Sequence, residues 1–261
     1  LNILSEAFVF VDDNPAEREI VRGQLGGTAV PEIGEVTDYI RVLDRSGYFE
    51  TVTLSEDDLK RNDMYMANAQ RAKAQSRFAD YHDYLLSLEM TAEIGDFSPL
   101  YLQRITQLTN KSNQFNLTTK RYTAEQMEAV YNSDEYIRLY GKLYDKFGDN
   151  GVVAVTIGKT DSEDKGRLDI ELWLMSCRVL KRDMELAMLD SLVEQAKKRG
   201  IREIYGHYYP TAKNKMVAGL YESFGFEKIS QDEEGNTAWR LLVEGYEDKN
   251  TVIKVKEEHY A

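Results

Sequence analysis

Between Leu168 and Phe226 the chain alternates apolar runs with charged breaks in an order that few folds accommodate. Leu168–Cys177 (LDIELWLMSC) has the composition of a buried strand, with Asp169 and Glu171 alternating outward at its start. A charged loop, Arg178-Val179-Leu180-Lys181-Arg182-Asp183, leads into a helix expected to run to about Arg199. That helix carries Leu189, Leu192, Val193 and Ala196 on one face, and Gly200 ends it after Lys197, Lys198 and Arg199. Ile201–Tyr208 is a second strand, and Asn214 opens a helix with Val217, Leu220, Tyr221 and Phe224 on one side, closed by Gly225. Strand, loop and helix in this order point backbone N–H groups and a helix N-terminus at one spot, which suits an anion. The expected class is α/β with a mixed sheet.

The 261 residues suffice for one large or two small domains, and 42% apolar content fits a globular chain with real cores. A net charge of −12 argues against general nucleic-acid binding, although Arg178, Lys181, Arg182, Lys213 and Lys215 offer a local basic cluster. The single cysteine, Cys177, excludes a disulfide framework and is expected to be a small buried hydrophobe in a reducing compartment. No apolar run approaches a membrane span and no signal peptide is visible, so a cytoplasmic location without membrane contact is expected. Leu1 is not a start methionine, and a preceding segment is expected.

The N-terminal stretch reads as a buried strand, Ala7–Val11, followed by Asp12-Asp13-Asn14-Pro15. Asn14 and Pro15 suit a helix cap and first turn, giving a helix over 16–25 that ends at Gly26-Gly27, with Thr28–Pro31 as another strand. Paired carboxylates at a strand end suit Mg²⁺, and the same four residues also make an ordinary capped turn. Ser55 and Asp58 resemble a capping box opening helical linker pieces that reach about Leu88, their charges mostly solvated. A strand at 88–97 and a helix at 99–108 come next. The amide-rich run 109–121 is either a polar loop or a set of donors, Asn110, Asn113 and Asn116 among them, facing an acyl or phosphopantetheine chain. A helix at 123–131 precedes strands at 135–147, 152–158 and 168–177, with a hairpin turn at Gly148–Gly151. A last strand is expected at 237–243, and a charged tail with an extra strand near 251–255. The strands Leu168–Cys177 and Ile201–Tyr208 are expected to splay apart at the loop and leave a cleft for a phosphopantetheine arm; His82, His207 and His259 lack ligand spacing, only His207 falls near that cleft, and Glu185 at the helix start opposes the positive end of the dipole.

NKMVAGLYESFGF, with Asn214, Lys215, Ala218, Tyr221 and Gly225-Phe226, resembles the last helix of the GNAT acyltransferases, and the element order from Leu88 onward is that of the family. The resemblance implies that Arg178 and the amides of Val179, Leu180, Lys181, Arg182 and Asp183, with Asn214, hold the phosphates of acyl-CoA. It further implies that Tyr221 protonates the leaving thiolate. The family loop usually carries glycines where Lys181 and Asp183 stand, so a single phosphate on an acyl carrier protein is expected to fit better than a CoA pyrophosphate. FVFVDDNPAEREIVR is similar to the last motif of HAD-type phosphatases, which implies Mg²⁺ at Asp12 and Asp13. The upstream D-x-D-x-[TV] nucleophile motif is absent, so no phosphatase step is expected.

Taken with QLTNKSNQFNLTTKRY, DKFGDNGVVAV, SCRVLKRDME and YPTAKN, these stretches resemble the FkbH-like family, which joins a HAD domain to a GNAT-like domain. The implied layout is a HAD-like Rossmannoid remnant over 1–52, a helical linker over 53–87, a GNAT-like domain over 88–245 and a tail over 246–261. Characterised members of that family load a glyceryl group onto an acyl carrier protein for polyketide extender units. An acyl carrier protein is therefore the implied partner, with His207, Asn110, Asn113 and Asn116 toward the substrate, and with pairing between chains through the N-terminal remnant. The competing class is a non-catalytic module that docks a carrier protein or scaffolds a phosphatase half.

Overall fold

In the computed structural model, which describes residues 5–50 and 61–256, the chain divides into two units, Leu1–Leu59 and Lys60–Ala261. The Ser55–Asp58 capping box and His259 lie outside the described residues.

In the first unit Asn14 caps helix α1, Pro15–Gln24: its side-chain oxygen accepts the Ala16 N–H at 3.0 Å, and Pro15 fills the first turn. The two expected strands shrink to one parallel bridge, Val9 with Ala29, because only the Phe10 N–H and the Ala29 N–H bond across. Buried Arg18 ties the unit together by donating to the Asp12 and Asp13 carbonyls. A second helix, α2 at Tyr39–Arg45, was not legible in the sequence. Asp12 turns its carboxylate onto the Asn14 N–H at 2.8 Å, and no cluster of three or more His, Cys, Asp or Glu gathers among the described residues. The Asp12-Asp13 pair thus forms the capped turn that these four residues also allow.

The second unit begins with helices α3, Arg61–Gln75, and α4, Tyr81–Ser87, the latter capped by Asp80 through the Asp83 N–H. These helices are not a free linker: Tyr84 and Leu85 belong to the core, and Arg71 is buried against Asp145. Strand β1 (Thr91–Gly95), helix α5 (Pro99–Lys111), the short strand β2 (Phe115–Asn116) and helix α6 (Ala124–Tyr131) follow. Thr123 and Gln126 form a reciprocal capping box at the start of α6. The chain continues through β3 (Tyr136–Asp145), β4 (Gly148–Thr160), β5 (Arg167–Met175), α7 (Met184–Lys198) and β6 (Glu203–Tyr208). It ends with α8 (Leu220–Ser223), β7 (Glu227–Gln231), β8 (Thr237–Leu242) and β9 (Lys254–Lys256). The expected helix after Asn214 is split into a 3-10 turn, Lys215–Val217, and the single turn α8. The β3–β4 reversal falls at Lys146-Phe147, where Asp145 accepts the Phe147 N–H, and Gly148–Gly151 already belongs to β4.

The strands form one mixed sheet in the order β7-β8-β6-β5-β4-β3-β1-β9, with β2 beside β5. Among the described strands of this sheet, only β5–β6 and β1–β9 pair in parallel. One face carries α7, whose buried Leu189, Leu192, Val193 and Ala196 are the stripe expected from the periodicity, each Leu or Val worth about 1.5–3 kcal/mol of burial. Helix α7 lies so close that a Cβ on Gly141 of β3 would meet Met184 Cε at 2.3 Å. The other face is covered by Ile105 and Leu108 of α5 and Met127 and Val130 of α6. Among the described residues no helix is long and apolar enough to cross a membrane. The second unit thus has a mixed α/β fold with the element order implied by the GNAT resemblance.

Candidate active site

A bulge decides the geometry of this region. The β4–β5 register steps from Ile157 opposite Leu172 to Gly158 opposite Ile170, leaving Glu171 as the extra residue on β5. Parallel pairing with β6 covers Arg167, Leu168 and Asp169 opposite Glu203, Ile204 and Tyr205, and goes no further. Two parallel strands that part leave unpaired backbone groups for an extended, amide-bearing chain to complete.

The protein's own chain completes them. Phe115 and Asn116 pair antiparallel with Met175 and Leu174, and the Leu117 N–H donates to the Trp173 carbonyl at 3.1 Å. The Thr118 hydroxyl donates to the Glu171 carbonyl at 2.7 Å. On the other side the Tyr209 N–H donates to the Leu117 carbonyl at 2.9 Å, and Asn214 Nδ2 to the Asn116 carbonyl at 2.9 Å. Within the expected loop 109–121, residues 109–111 close α5 and the stretch around Phe115–Leu117 forms a strand plug with no exposed surface at Asn116 or Leu117. The amides expected to face a ligand are held by hydrogen bonds within the chain instead. Asn116 accepts the Thr119 N–H and donates to Ser112, Asn110 donates to the Thr106 and Tyr122 carbonyls, and Asn113 accepts from Arg121. Asn214, wholly buried, likewise clamps Thr211, Tyr209 and Asn116 and is not a cofactor contact.

Beside the plug opens a cleft of about 460 Å³, lined by Thr118, Thr119, Lys120, Asp169, Glu171, His207 and Tyr209, with Ile170 at its base. His207 Nε2 lies 3.2 Å from Asp169 Oδ1, and the imidazole stacks on Tyr209 with ring centroids 6.3 Å apart. Burial acts to raise the Asp169 pKa, but the hydrogen bond with His207 and the forked Arg167 guanidinium at 2.7 Å bring it below the usual carboxylate range. An ionised Asp169 draws the imidazole N–H to Nε2 and leaves Nδ1 as the basic nitrogen. Glu171, displaced outward by the bulge, is held by Lys120 at 2.5 Å and by the Tyr122 hydroxyl at 3.1 Å. Burial and the neighbouring Glu171 push the Tyr122 phenol well up. Of this group only His207 was singled out from the sequence. The outward alternation of Asp169 and Glu171 was the signal that could have found the rest.

The loop 176–183 differs from expectation in its side chains more than in its backbone. Ser176 opens a 3-10 turn, Cys177–Val179, in which Val179 is buried and Leu180 packs against the core. Lys181 and Asp183 adopt φ of 63° and 59°, the left-handed conformation that glycine takes without cost. Arg182 turns inward, donating to Asp145 at 3.1 Å, Asn150 at 3.3 Å, Asn68 at 3.4 Å and the Arg178 carbonyl at 2.9 Å. Burial, then the like charge of Arg71, lowers its pKa to about 10. Arg182 thus leaves the basic cluster expected to meet phosphate. Arg178 donates through Nε to the Ser176 hydroxyl at 3.2 Å and touches Met64, while Tyr81 donates to the Lys181 carbonyl at 2.6 Å. At the α7 N-terminus, burial pushes the Glu185 carboxyl up to about 7 against its own backbone N–H, and Oε2 finds no hydrogen-bond partner. Burial raises Asp183 as well. Cys177 is exposed, not the buried hydrophobe expected.

Tyr221 is the second displaced expectation. Its ring packs under Gly206, where a Cβ would meet Cε1 at 2.3 Å, and against Phe226 with centroids 4.9 Å apart. It has no exposed surface and its hydroxyl lacks a hydrogen bond of ordinary geometry. Burial drives its pKa far up, opposed by the His207 amide. Successive strand residues face opposite sides, so Gly206 presents Tyr221 to the core while His207 faces the cleft. Tyr221 is sealed from the space that a leaving thiolate would occupy there.

No family profile matches the sequence, and no curated protein matches it. Among solved structures, the chain is similar to a GNAT-family acetyltransferase from Streptococcus pneumoniae at 17% identity, over 58% of this chain and 99% of that one, with a TM-score of 0.44. A putative acetyltransferase from Salmonella typhimurium, solved with its cofactor acetyl-CoA, overlaps 60% of this chain and 96% of its own at 14% identity and a TM-score of 0.45. The GNAT domain of S. lividans PAT overlaps 58% and 90% at 15% identity and a TM-score of 0.46.

Proposed function

We propose that the second unit is a GNAT-type acyltransferase that moves an acyl group from a thioester to a nucleophile held in the cleft beside His207. The observation that carries the reading is the His207–Asp169 pair set at the point where β5 and β6 part. There His207 Nδ1 takes the proton of the attacking nucleophile, the new acyl bond forms as the C–S bond breaks, and the thiolate leaves with the sulfur's electron pair. Asp169 fixes the imidazole and offsets its charge. The finer reading, drawn from the FkbH-like resemblance, is that an acyl carrier protein presents the thioester and that the acyl group is small and hydroxylated. The polar lining by Thr118, Thr119, Lys120 and Glu171 suits such a group better than an aliphatic chain.

A specific pair of observations favours a second reading, a non-catalytic carrier-docking or scaffold module. The strand gap is already filled, and Arg182 is committed to Asp145. Mass spectrometry of the chain with acyl-CoA and acyl-carrier thioesters, plus a panel of amines and hydroxyl acceptors, separates the two. Transfer that falls about 10²-fold or more in His207→Ala supports the enzyme. No transfer above a buffer control from any donor, or equal rates in His207→Ala, leaves the docking module.

A further inference from the structure

We infer that, on the acyl-transfer reading above, the donor enters through the open cleft and no extended arm passes between β5 and β6. The gap that an arm would need is occupied from both sides by this chain's own backbone. Phe115 and Asn116 pair with β5, the Leu117 carbonyl receives the Tyr209 N–H, and the Asn116 carbonyl receives Asn214. Nothing in this insertion resembles a loosely held lid. Phe115 and Leu117 are buried at 4% and 0% exposure, so removing the segment would open the core and leave orphaned donors and acceptors on both flanking strands. The cleft, in contrast, is open to solvent at Lys120 and Tyr209 and reaches His207 without displacing any element.

The consequence concerns substrate class. A donor held by a threaded arm draws its binding energy from amides far from the sulfur, and truncating it lowers kcat as well as raising KM. A donor laid in the cleft is held by its acyl group and the few atoms beside the sulfur. The acceptable donors are therefore compact thioesters, whatever arm or carrier follows. Acetyl-N-acetylcysteamine, a thioester bearing only the end of the arm, is expected to match acetyl-CoA within about tenfold in kcat/KM. A preference for acetyl-CoA above about 100-fold would overturn the inference.

Hydrogen exchange reads the gap independently of activity. With CoA, pantetheine or a phosphopantetheinylated carrier at saturating concentration, the Leu117 and Tyr209 amides should keep the protection they have in the free protein. Faster exchange at both amides when any of these is added would show the plug being displaced and would sink the proposal. If no thioester reacts at all, the acyl-transfer reading fails, while the exchange measurement still decides whether the gap stays closed.

Discussion

Asp145 holds together the loop that leads into α7, and replacing it by Asn has a cost that can be worked out. Its side chain has no exposed surface and accepts a forked pair from Arg71 at 2.8 and 2.9 Å, with Arg182 at 3.1 Å. Arg71 and Arg182 are themselves nearly buried, at 5% and 10% side-chain exposure. Two guanidinium groups share one carboxylate, so the cluster already carries an excess positive charge. Asp145→Asn keeps the volume and leaves two buried cations without a counter-charge. Breaking a buried pair in this way costs about 3–5 kcal/mol, which for a unit of this size lowers Tm by roughly 6–20 °C. The surface pair Lys198–Glu194, more than half exposed on both sides, gives the contrast: Glu194→Gln should cost no more than about 0.5 kcal/mol. Thermal melts followed by tryptophan fluorescence report on this unit, because both tryptophans, Trp173 and Trp239, lie in its core. If Asp145→Asn melted as little below the parent as Glu194→Gln does, the buried cluster would not be organising the loop.

Stability should fall as pH rises from about 4.5 to 7, because folded Glu185, with its carboxyl raised to about 7, keeps a proton that the unfolded chain, at 4.5, has released. The drop is on the order of 3 kcal/mol, and Glu185→Gln should flatten it in denaturant titrations across that range. Gly206→Ala drives a methyl into the Tyr221 ring and should cost about 1–3 kcal/mol, part of it recovered when Tyr221→Leu is added; an unchanged urea midpoint would contradict the close packing. Cys177, exposed on the loop, should react with a maleimide in the folded protein nearly as fast as in urea, and Cys177→Ser should leave stability within about 0.5 kcal/mol.

What the sequence made legible are the features set by local rules. The Asn14–Pro15 start of α1, the Thr123–Gln126 capping box and the Leu189–Ala196 stripe of α7 each need only neighbours within a turn or two. The succession of strands is legible too, since β4 is a continuous buried run over Val152–Gly158 while β3 and the first half of β5 alternate. The plug was not legible because its partners are remote. Phe115-Asn116 makes only a two-residue strand, and what turns a polar run into sheet is the edge left open by a bulge at Glu171. Arg182 failed for the same reason: a cation in a charged loop looks solvated until Asp145, from the β3–β4 turn, is brought beneath it. His207 is legible as a candidate, while its partner Asp169 reads from the sequence as an outward-facing residue of a buried strand.

The loop and the cleft divide the chemistry of this fold between the two faces of the sheet. Left-handed backbone at a non-glycine residue costs on the order of 1 kcal/mol, and the loop accepts that cost at both Lys181 and Asp183. Asp183 does not recover it by capping α7, since its side chain makes no cap hydrogen bond. The residue between them does: with its neighbours left-handed, Arg182 points inward to Asp145, Asn150, Asn68 and the Arg178 carbonyl, and Tyr81 fastens Lys181 from outside. Arg182 thereby fastens the loop to Asp145 at the end of β3, and Asp183 and Glu185 place two acidic groups at the start of α7. On the opposite side of β6 the alternation works the other way. Gly206 seals Tyr221 into the core and His207 emerges beside Asp169, where solvent, a base and its orienting carboxylate meet. On the acyl-transfer reading proposed above, the base and its orienting carboxylate meet in the cleft at His207, while the loop fastens the start of α7 to the end of β3 through Arg182 and Asp145.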